Sequence, residues 1–273
     1  MPASPPAELD FATHGTVDVL GTAIEVFTAG TGQPLLFLHG LDGVEGAAPA
    51  IRELAKHYAV HAPSHPGFGE SARPANLDRV DDLGYFYLDL LTALGLDRPV
   101  VLGTSFGGWV AAEMLTKEPA RADALVLVSP LGLPGADRRE QSLADIFMMA
   151  RQDLNRRIGL DDTPVTELDD DRLRREMRRD EALSLYGWTP YMHNPKLAAR
   201  LHRISCPTLV VWGEEDAIVT PAYRRQFALA LPDAGVRMVA GAGHAVHSEQ
   251  PVELAALVAG FARPACLAQG DHA

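Results

Sequence analysis

Apolar residues fall along this chain in short blocks divided by polar, glycine-containing or proline-containing stretches, and the blocks follow two periods. Residues 35–38, 58–62, 100–103, 124–128, 208–212 and 236–239 are nearly continuous apolar runs, the pattern required of parallel strands that are covered on both faces. Between them the spacing changes. Leu83, Tyr87, Leu90, Leu91 and Leu94, and later Leu254, Leu257, Val258 and Phe261, recur so that their side chains share one face of a helix. Residues 16–28 alternate loosely in polarity with Gly21 at the midpoint, which predicts an antiparallel hairpin at a sheet edge. Strand and helix otherwise alternate, and the predicted fold class is α/β: a doubly wound, mostly parallel sheet flanked by helices.

The alternation stops after Val128 and resumes near Pro207. The stretch between has helical character, so residues 133–195 are expected to form a helical cap inserted into a core made of residues 1–132 and 196–273. Within the cap, residues 167–181 are almost all charged, with Leu173 and Met177 one turn apart and Asp170 and Asp171 four residues before Arg174 and Arg175. A solvated helix face with i,i+4 ion pairs accounts for this better than a binding patch. Residues 185–194 instead gather Tyr186, Trp188, Tyr191, Met192 and His193 around Pro190. Such bulk can close a pocket or pack the cap onto the core; Trp188, Tyr191 and Phe147 are the cap residues expected to meet a substrate.

Composition narrows the partners. Acidic residues number 36 against 24 basic ones, a formal charge of −12 over 273 residues, which repels phosphate backbones and anionic lipid surfaces. Neither nucleic acid nor a membrane is an expected partner. No apolar run approaches a bilayer's thickness, and the proline-rich start lacks the features of a secretory signal, so a soluble, cytoplasmic protein is expected. Cys206 and Cys266 are the only cysteines, too few for a disulfide framework and without the spacing of a metal site. The sequence leaves the oligomeric state open, a homodimer included.

The candidate chemistry lies at the ends of the predicted strands. Residues 100–108 read VVLGTSFGG: a buried strand, then Gly103-Thr104-Ser105-Phe106-Gly107, then a helix, which is the setting in which a G-x-S-x-G turn presents its serine. A serine hydroxyl is a weak nucleophile at neutral pH and needs a base, and the base needs a group that fixes its tautomer. Gly241-Ala242-Gly243-His244 follows the last predicted strand, which makes His244 the candidate base, with His247 as a competitor. Asp216, after Trp212-Gly213-Glu214-Glu215, is the candidate acid, with Glu214 and Glu215 as rivals. For an oxyanion, the Phe106 N–H lies next to the nucleophile, and the Leu41 N–H in the turn His39-Gly40-Leu41-Asp42-Gly43 is the expected second donor. His39 and Gly40 are expected to border the pocket.

These segments, together with Pro66-Gly67-Phe68-Gly69-Glu70-Ser71, occur in an order that resembles the α/β-hydrolase superfamily, and within it the capped, esterase-like serine hydrolases. The resemblance implies an eight-stranded, mostly parallel sheet, a cap after the sixth strand, no cofactor and no metal, and cleavage of a small carboxylic ester, lactone or thioester through an acyl-enzyme. Dehalogenases and epoxide hydrolases of that superfamily carry an aspartate where Ser105 stands. Carbon-carbon bond hydrolases use the same serine but typically place Asn before it and Trp after the histidine, where this chain has Thr104 and Ala245. Proline iminopeptidases carry a different glycine-rich loop from residues 39–43. A ligand-binding protein without turnover is the remaining alternative, because fold alone does not fix function.

Overall fold

A computed structural model describes residues 6–135, 142–158, 163–231 and 233–262. Cys266, parts of the predicted cap and most of the N-terminal seven residues lie outside the described residues. One sheet organises the chain: β1 (Thr13–Val19), β2 (Thr22–Ala29), β3 (Gln33–Leu38), β4 (Tyr58–Pro63), β5 (Val100–Thr104), β6 (Ala124–Val128), β7 (Thr208–Gly213) and β8 (Gly235–Val239). Their order is β1-β2-β4-β3-β5-β6-β7-β8. The first three in that order pair antiparallel, and all later neighbours are parallel. The hairpin turns at Leu20 and Gly21, both with positive φ (51° and 87°), the two-residue geometry whose twist matches its strands.

The apolar strand runs are continuous because each face has its own core. Leu36 and Leu38 of β3, Val101 of β5, Leu125 and Leu127 of β6, and Val210 and Trp212 of β7 point to one side. Their neighbours Leu35, Phe37, Leu102, Val126, Leu209 and Val211 point to the other, as a period of two dictates. On the first side lie α3 (Val80–Ala93), α4 (Phe106–Lys117) and α7 (Pro221–Ala230). The second side is covered by α2 (Ala48–Leu54), the short α8 (Val246–Glu249) and α9 (Pro251–Phe261). The two edge strands depart from the buried pattern: β1 is mostly exposed, and β8 leaves Val236 and Met238 exposed.

Between β6 and β7 run α5 (Arg151–Arg157) and the 18-residue α6 (Asp170–Gly187). Ile146, Ile158, Ala182, Leu183, Tyr186 and Met192 of this segment join the first core directly. The charged stretch of α6 differs from the expected solvated face. Arg174 pairs with Asp171 three residues earlier (3.2 Å) and with Glu70 (3.0 Å), and not with Asp170. Arg175 turns inward, away from Asp171, and meets Glu45 of α1 (Gly43–Gly46) at 3.0 Å and Glu25 at 3.3 Å.

The cause is Glu25. It stands on β2 with its side chain 1% exposed, and a buried carboxylate demands compensation. It receives the Ser64 hydroxyl at 2.7 Å and the Glu70 N–H at 3.0 Å, and it contacts His14 at 3.0 Å. Gly69 (φ 49°) must lack a Cβ, since one would stand 2.2 Å from the Glu25 carboxylate. The loop at residues 66–71 is therefore wrapped around one acid. Burial pushes the Glu25 carboxyl up, but the Glu70 N–H, the Arg175 charge and the Ser64 hydroxyl outweigh it and hold it below the usual carboxylate range. A carboxyl lowered in this way stabilises the fold at neutral pH, and the contribution is lost as pH falls through its folded-state value.

Arg175→Met removes the guanidinium that Glu25 and Glu45 share and is expected to cost about 3 kcal/mol of unfolding free energy, whereas Arg174→Ala, on an exposed pair, should cost less than about 1 kcal/mol. Urea unfolding at neutral pH measures both. Equal losses would contradict the assignment of Arg175 to a buried cluster.

Candidate active site

The turn that carries Ser105, the candidate nucleophile, is shaped by the absence of side chains. Ser105 follows β5 and caps α4 with φ 49° and ψ −112°, a strained conformation for a residue with a Cβ. Its N–H donates to the Val128 carbonyl at 2.8 Å, and its own carbonyl accepts from Leu131 at 3.0 Å. A Cβ on Gly103 would stand 2.4 Å from the Gly107 carbonyl oxygen, and one on Gly107 would stand 2.1 Å from that of Leu38. Only glycines allow strand, turn and helix to fold back this tightly.

Two further loops bring groups to Ser105. His244, after β8, places Nε2 2.8 Å from the Ser105 Oγ and Nδ1 2.9 Å from Oδ2 of Asp216. Asp216, after β7, accepts N–H bonds from Ile218 (2.8 Å) and Val219 (3.1 Å) on its other oxygen. With both donors fixed on the carboxylate, His244 carries its proton on Nδ1 and leaves Nε2 to accept from the serine. The loops pack without intervening side chains, because a Cβ on Gly213 would stand 1.9 Å from the Gly243 carbonyl oxygen. Burial pushes the Asp216 carboxyl up; the His244 charge, its hydrogen bond and the two backbone N–H groups outweigh that and hold it below the ordinary carboxylate range.

The rival groups stand elsewhere. Glu214 and Glu215 are exposed on the same loop, and His247 is bound to Asp42 through Nε2 at 2.6 Å. Phe106 opens α4, where a helix N–H has no intrahelical acceptor, and Leu41 is buried in the tight turn that Gly40 and Gly43 close (3.4 Å). Gly40 packs on Ser105, since a Cβ there would touch the Ser105 Cβ at 3.1 Å.

His39 does not border open space. It is wholly buried, and both its ring nitrogens are engaged: Nδ1 donates to the Gly40 carbonyl (2.9 Å) and Nε2 accepts the His65 N–H (3.0 Å). Burial lowers its pKa to about 4, so it is a neutral strut at physiological pH. His65 in turn donates Nε2–H to the His39 carbonyl (2.9 Å) and accepts the Tyr87 hydroxyl on Nδ1. This Tyr87–His65–His39 chain props the turn at residues 39–43. Sequence reasoning passed over His65, which no motif or period marks, and placed Tyr87 on the apolar face of a helix without revealing the partner of its hydroxyl.

Among the cap aromatics, Trp188 is 59% exposed and lies against Phe147 (ring centroids 5.3 Å apart). Tyr191 fixes the 144–146 backbone by donating to the Ala144 carbonyl and accepting the Ile146 N–H, both at 2.7 Å. The cap ring that meets the nucleophile turn is Tyr186, 6.2 Å from the Phe106 ring, with its hydroxyl on the Pro66 carbonyl (3.1 Å). An open groove of about 610 Å³ runs beside Asp216, between Asp145, Met148 and Met149 and the loop at 216–221. It borders Asp216 and not the serine: Ser105 and His244 are buried, 3% and 2% exposed. Among the described residues no cluster of His, Cys, Asp or Glu is placed to hold a metal, and no helix is long and apolar enough to cross a membrane.

The strain at Ser105 yields a prediction. Ser105→Gly relieves a positive φ worth about 1–3 kcal/mol while losing one hydrogen bond worth about 1 kcal/mol, so the variant should melt at a higher temperature. Differential scanning calorimetry tests this, and a lower melting temperature would show that the turn is unstrained.

Residues 35–257 match the alpha/beta hydrolase family. The chain is 30% identical to a pimeloyl-[acyl-carrier protein] methyl ester esterase of Nitrosomonas europaea, over 82% of this chain and 93% of that protein. It is 27% identical to a 2-hydroxymuconate semialdehyde hydrolase of a Pseudomonas species, over 93% of each. In three dimensions it superposes on carboxylesterase CesB of Bacillus subtilis with a TM-score of 0.73 at 22% identity, covering 92% of this chain and 91% of that one. With the family matched over residues 35–257, most of its length, the chain belongs to the alpha/beta hydrolase family.

Proposed function

We propose that this protein is a serine hydrolase that cleaves a carboxylic ester of a small molecule through an acyl-enzyme. The observation that carries the reading is the unbroken relay from the Ser105 hydroxyl to Nε2 of His244 (2.8 Å) and from Nδ1 to Asp216 (2.9 Å). In this reading the Ser105 Oγ attacks the carbonyl carbon while its proton passes to His244, and the carbonyl π electrons move onto oxygen. The N–H groups of Phe106 and Leu41 receive that oxygen. Collapse of the adduct expels the alcohol, which takes the proton back from His244; water then repeats the sequence on the acyl-enzyme and frees the acid.

Asp216, anionic and buried, compensates the imidazolium formed in each half-reaction. The low exposure of Ser105 implies that the cap segment shifts to admit substrate and excludes bulk water afterwards. The 2-hydroxymuconate semialdehyde hydrolase relative favours a second reading, carbon-carbon bond hydrolysis by the same serine. Against it stand Thr104 and Ala245, where the resemblance leads one to expect Asn and Trp.

Purified protein is expected to hydrolyse short-chain p-nitrophenyl esters, with Ser105→Ala reducing kcat by at least about 10³-fold. Asp216→Asn should lose about 10³-fold, while Glu214→Gln and Glu215→Gln stay near wild type. Spectrophotometric turnover at saturating substrate reads all four. Full activity in Ser105→Ala rejects the reading, a larger loss in either glutamate variant names the wrong acid, and cleavage of vinylogous diketones with no ester turnover selects the second reading. Tight ligand binding without turnover on any panel member would make the chain a binding protein.

A further inference from the structure

Asp42 and His247 are used by nothing described so far, yet both are buried (7% and 2% exposed) and joined at 2.6 Å across 205 residues of sequence. Their positions are specific. Asp42 directly follows Leu41 in the turn expected to donate to the oxyanion, and His247 lies three residues after His244, on α8. The carboxylate also stands close to the chemistry: a Cβ on Gly40 would meet Asp42 Oδ1 at 2.9 Å and the Ser105 Cβ at 3.1 Å. Asp42 and the nucleophile thus flank the same small space.

A free carboxylate at that place would oppose the negative charge that forms on the substrate oxygen. It would also leave the Leu41–Gly43 part of the turn with one long backbone bond, Gly43 N–H to the Gly40 carbonyl at 3.4 Å, beside the His39 Nδ1–H bond to the same carbonyl at 2.9 Å. His247 meets both difficulties, since its Nε2–H engages Asp42 Oδ2 and fixes that side chain. Burial pushes the Asp42 carboxyl up, and the His247 charge and hydrogen bond outweigh it, so the partner is an acceptor at neutral pH.

We propose that Asp42 and His247 are a positioning pair for hydrolysis: their hydrogen bond ties the turn bearing the Leu41 N–H to the loop bearing His244, so that oxyanion donor and base face the substrate carbonyl as one rigid unit. The inference rests on the serine hydrolase reading above and assigns neither residue contact with the reacting atoms. An oxyanion donor displaced by a fraction of an ångström loses its advantage in the transition state and little in the ground state. Breaking the pair therefore lowers kcat and leaves KM nearly unchanged.

The test compares His247→Ala, Asp42→Ala and Asp42→Asn with wild type. Asn keeps an oxygen that accepts from Nε2–H. With p-nitrophenyl butyrate, both alanine variants are expected to lose about 100-fold in kcat with KM within about threefold. The inhibition constant of an alkyl trifluoromethyl ketone, which forms an oxyanion on the serine, should rise by the same factor, and Asp42→Asn should recover most of both losses. Amide hydrogen exchange of residues 41–43 in the full-length protein should quicken in His247→Ala and not in Ser105→Ala. Wild-type kcat in a folded His247→Ala protein overturns the proposal. So does a result in which Asp42→Asn behaves like Asp42→Ala, or in which exchange at 41–43 is unchanged. Absent turnover in wild type would sink the hydrolase reading, and the exchange experiment would still decide whether the pair locks the turn.

Discussion

A hydroxyl, an imidazole and a carboxylate that come from three loops can share a proton only if those loops approach more closely than side chains ordinarily allow. The contact between Gly213 and the Gly243 carbonyl, and that between Gly107 and the Leu38 carbonyl, meet this requirement. Each is a place where a single methyl group would collide with backbone. The sheet supplies the rest, because β5, β7 and β8 are parallel and end together, so that Ser105, Asp216 and His244 leave one edge in the same direction. Everything else in the site is support for that approach: the helix that begins at Phe106, the Tyr87–His65–His39 chain under residues 39–43, and the segment between β6 and β7, whose Tyr186 ring lies against Phe106.

Much of the sheet was readable because its physics is local. A strand buried on both faces needs an uninterrupted apolar run, and the six runs predicted between residues 35 and 239 are strands β3 to β8. The glycine motifs were readable for a similar reason: a residue whose Cβ would clash leaves its signature in the sequence whatever its distant partners are. Side chains satisfied by distant groups were another matter. Glu25 reads as an ordinary polar position in an alternating hairpin, Arg175 as one more cation on a charged helix, Tyr87 as one more ring on an apolar helix face, and His65 as an isolated residue; only the folded chain reveals that each completes another. The i,i+4 pairing expected for Arg175 gave way because a buried carboxylate demands a counter-charge far more strongly than a solvated aspartate does.

The cap shows the same division. Its helical character followed from periodicity, but which aromatic packs beside Ser105 did not, since Tyr186, Trp188 and Tyr191 lie close together at the end of α6 and in the turn beyond it. Packing selects Tyr186, whose ring reaches Phe106, and leaves Trp188 exposed against Phe147. Arg175 ties the same helix to Glu45, directly after the turn at residues 39–43. The segment between β6 and β7 and the residues that follow the turn at 39–43 are thus tied together through one polar cluster.

The central claim is that His244 makes Ser105 a nucleophile, and covalent labelling tests it most directly. Incubation with a fluorophosphonate followed by peptide mass spectrometry should find one adduct, on Ser105, in wild-type protein and almost none in a folded His244→Ala variant whose serine is intact. Labelling of another residue, or equal labelling of Ser105 without the imidazole, would contradict the account.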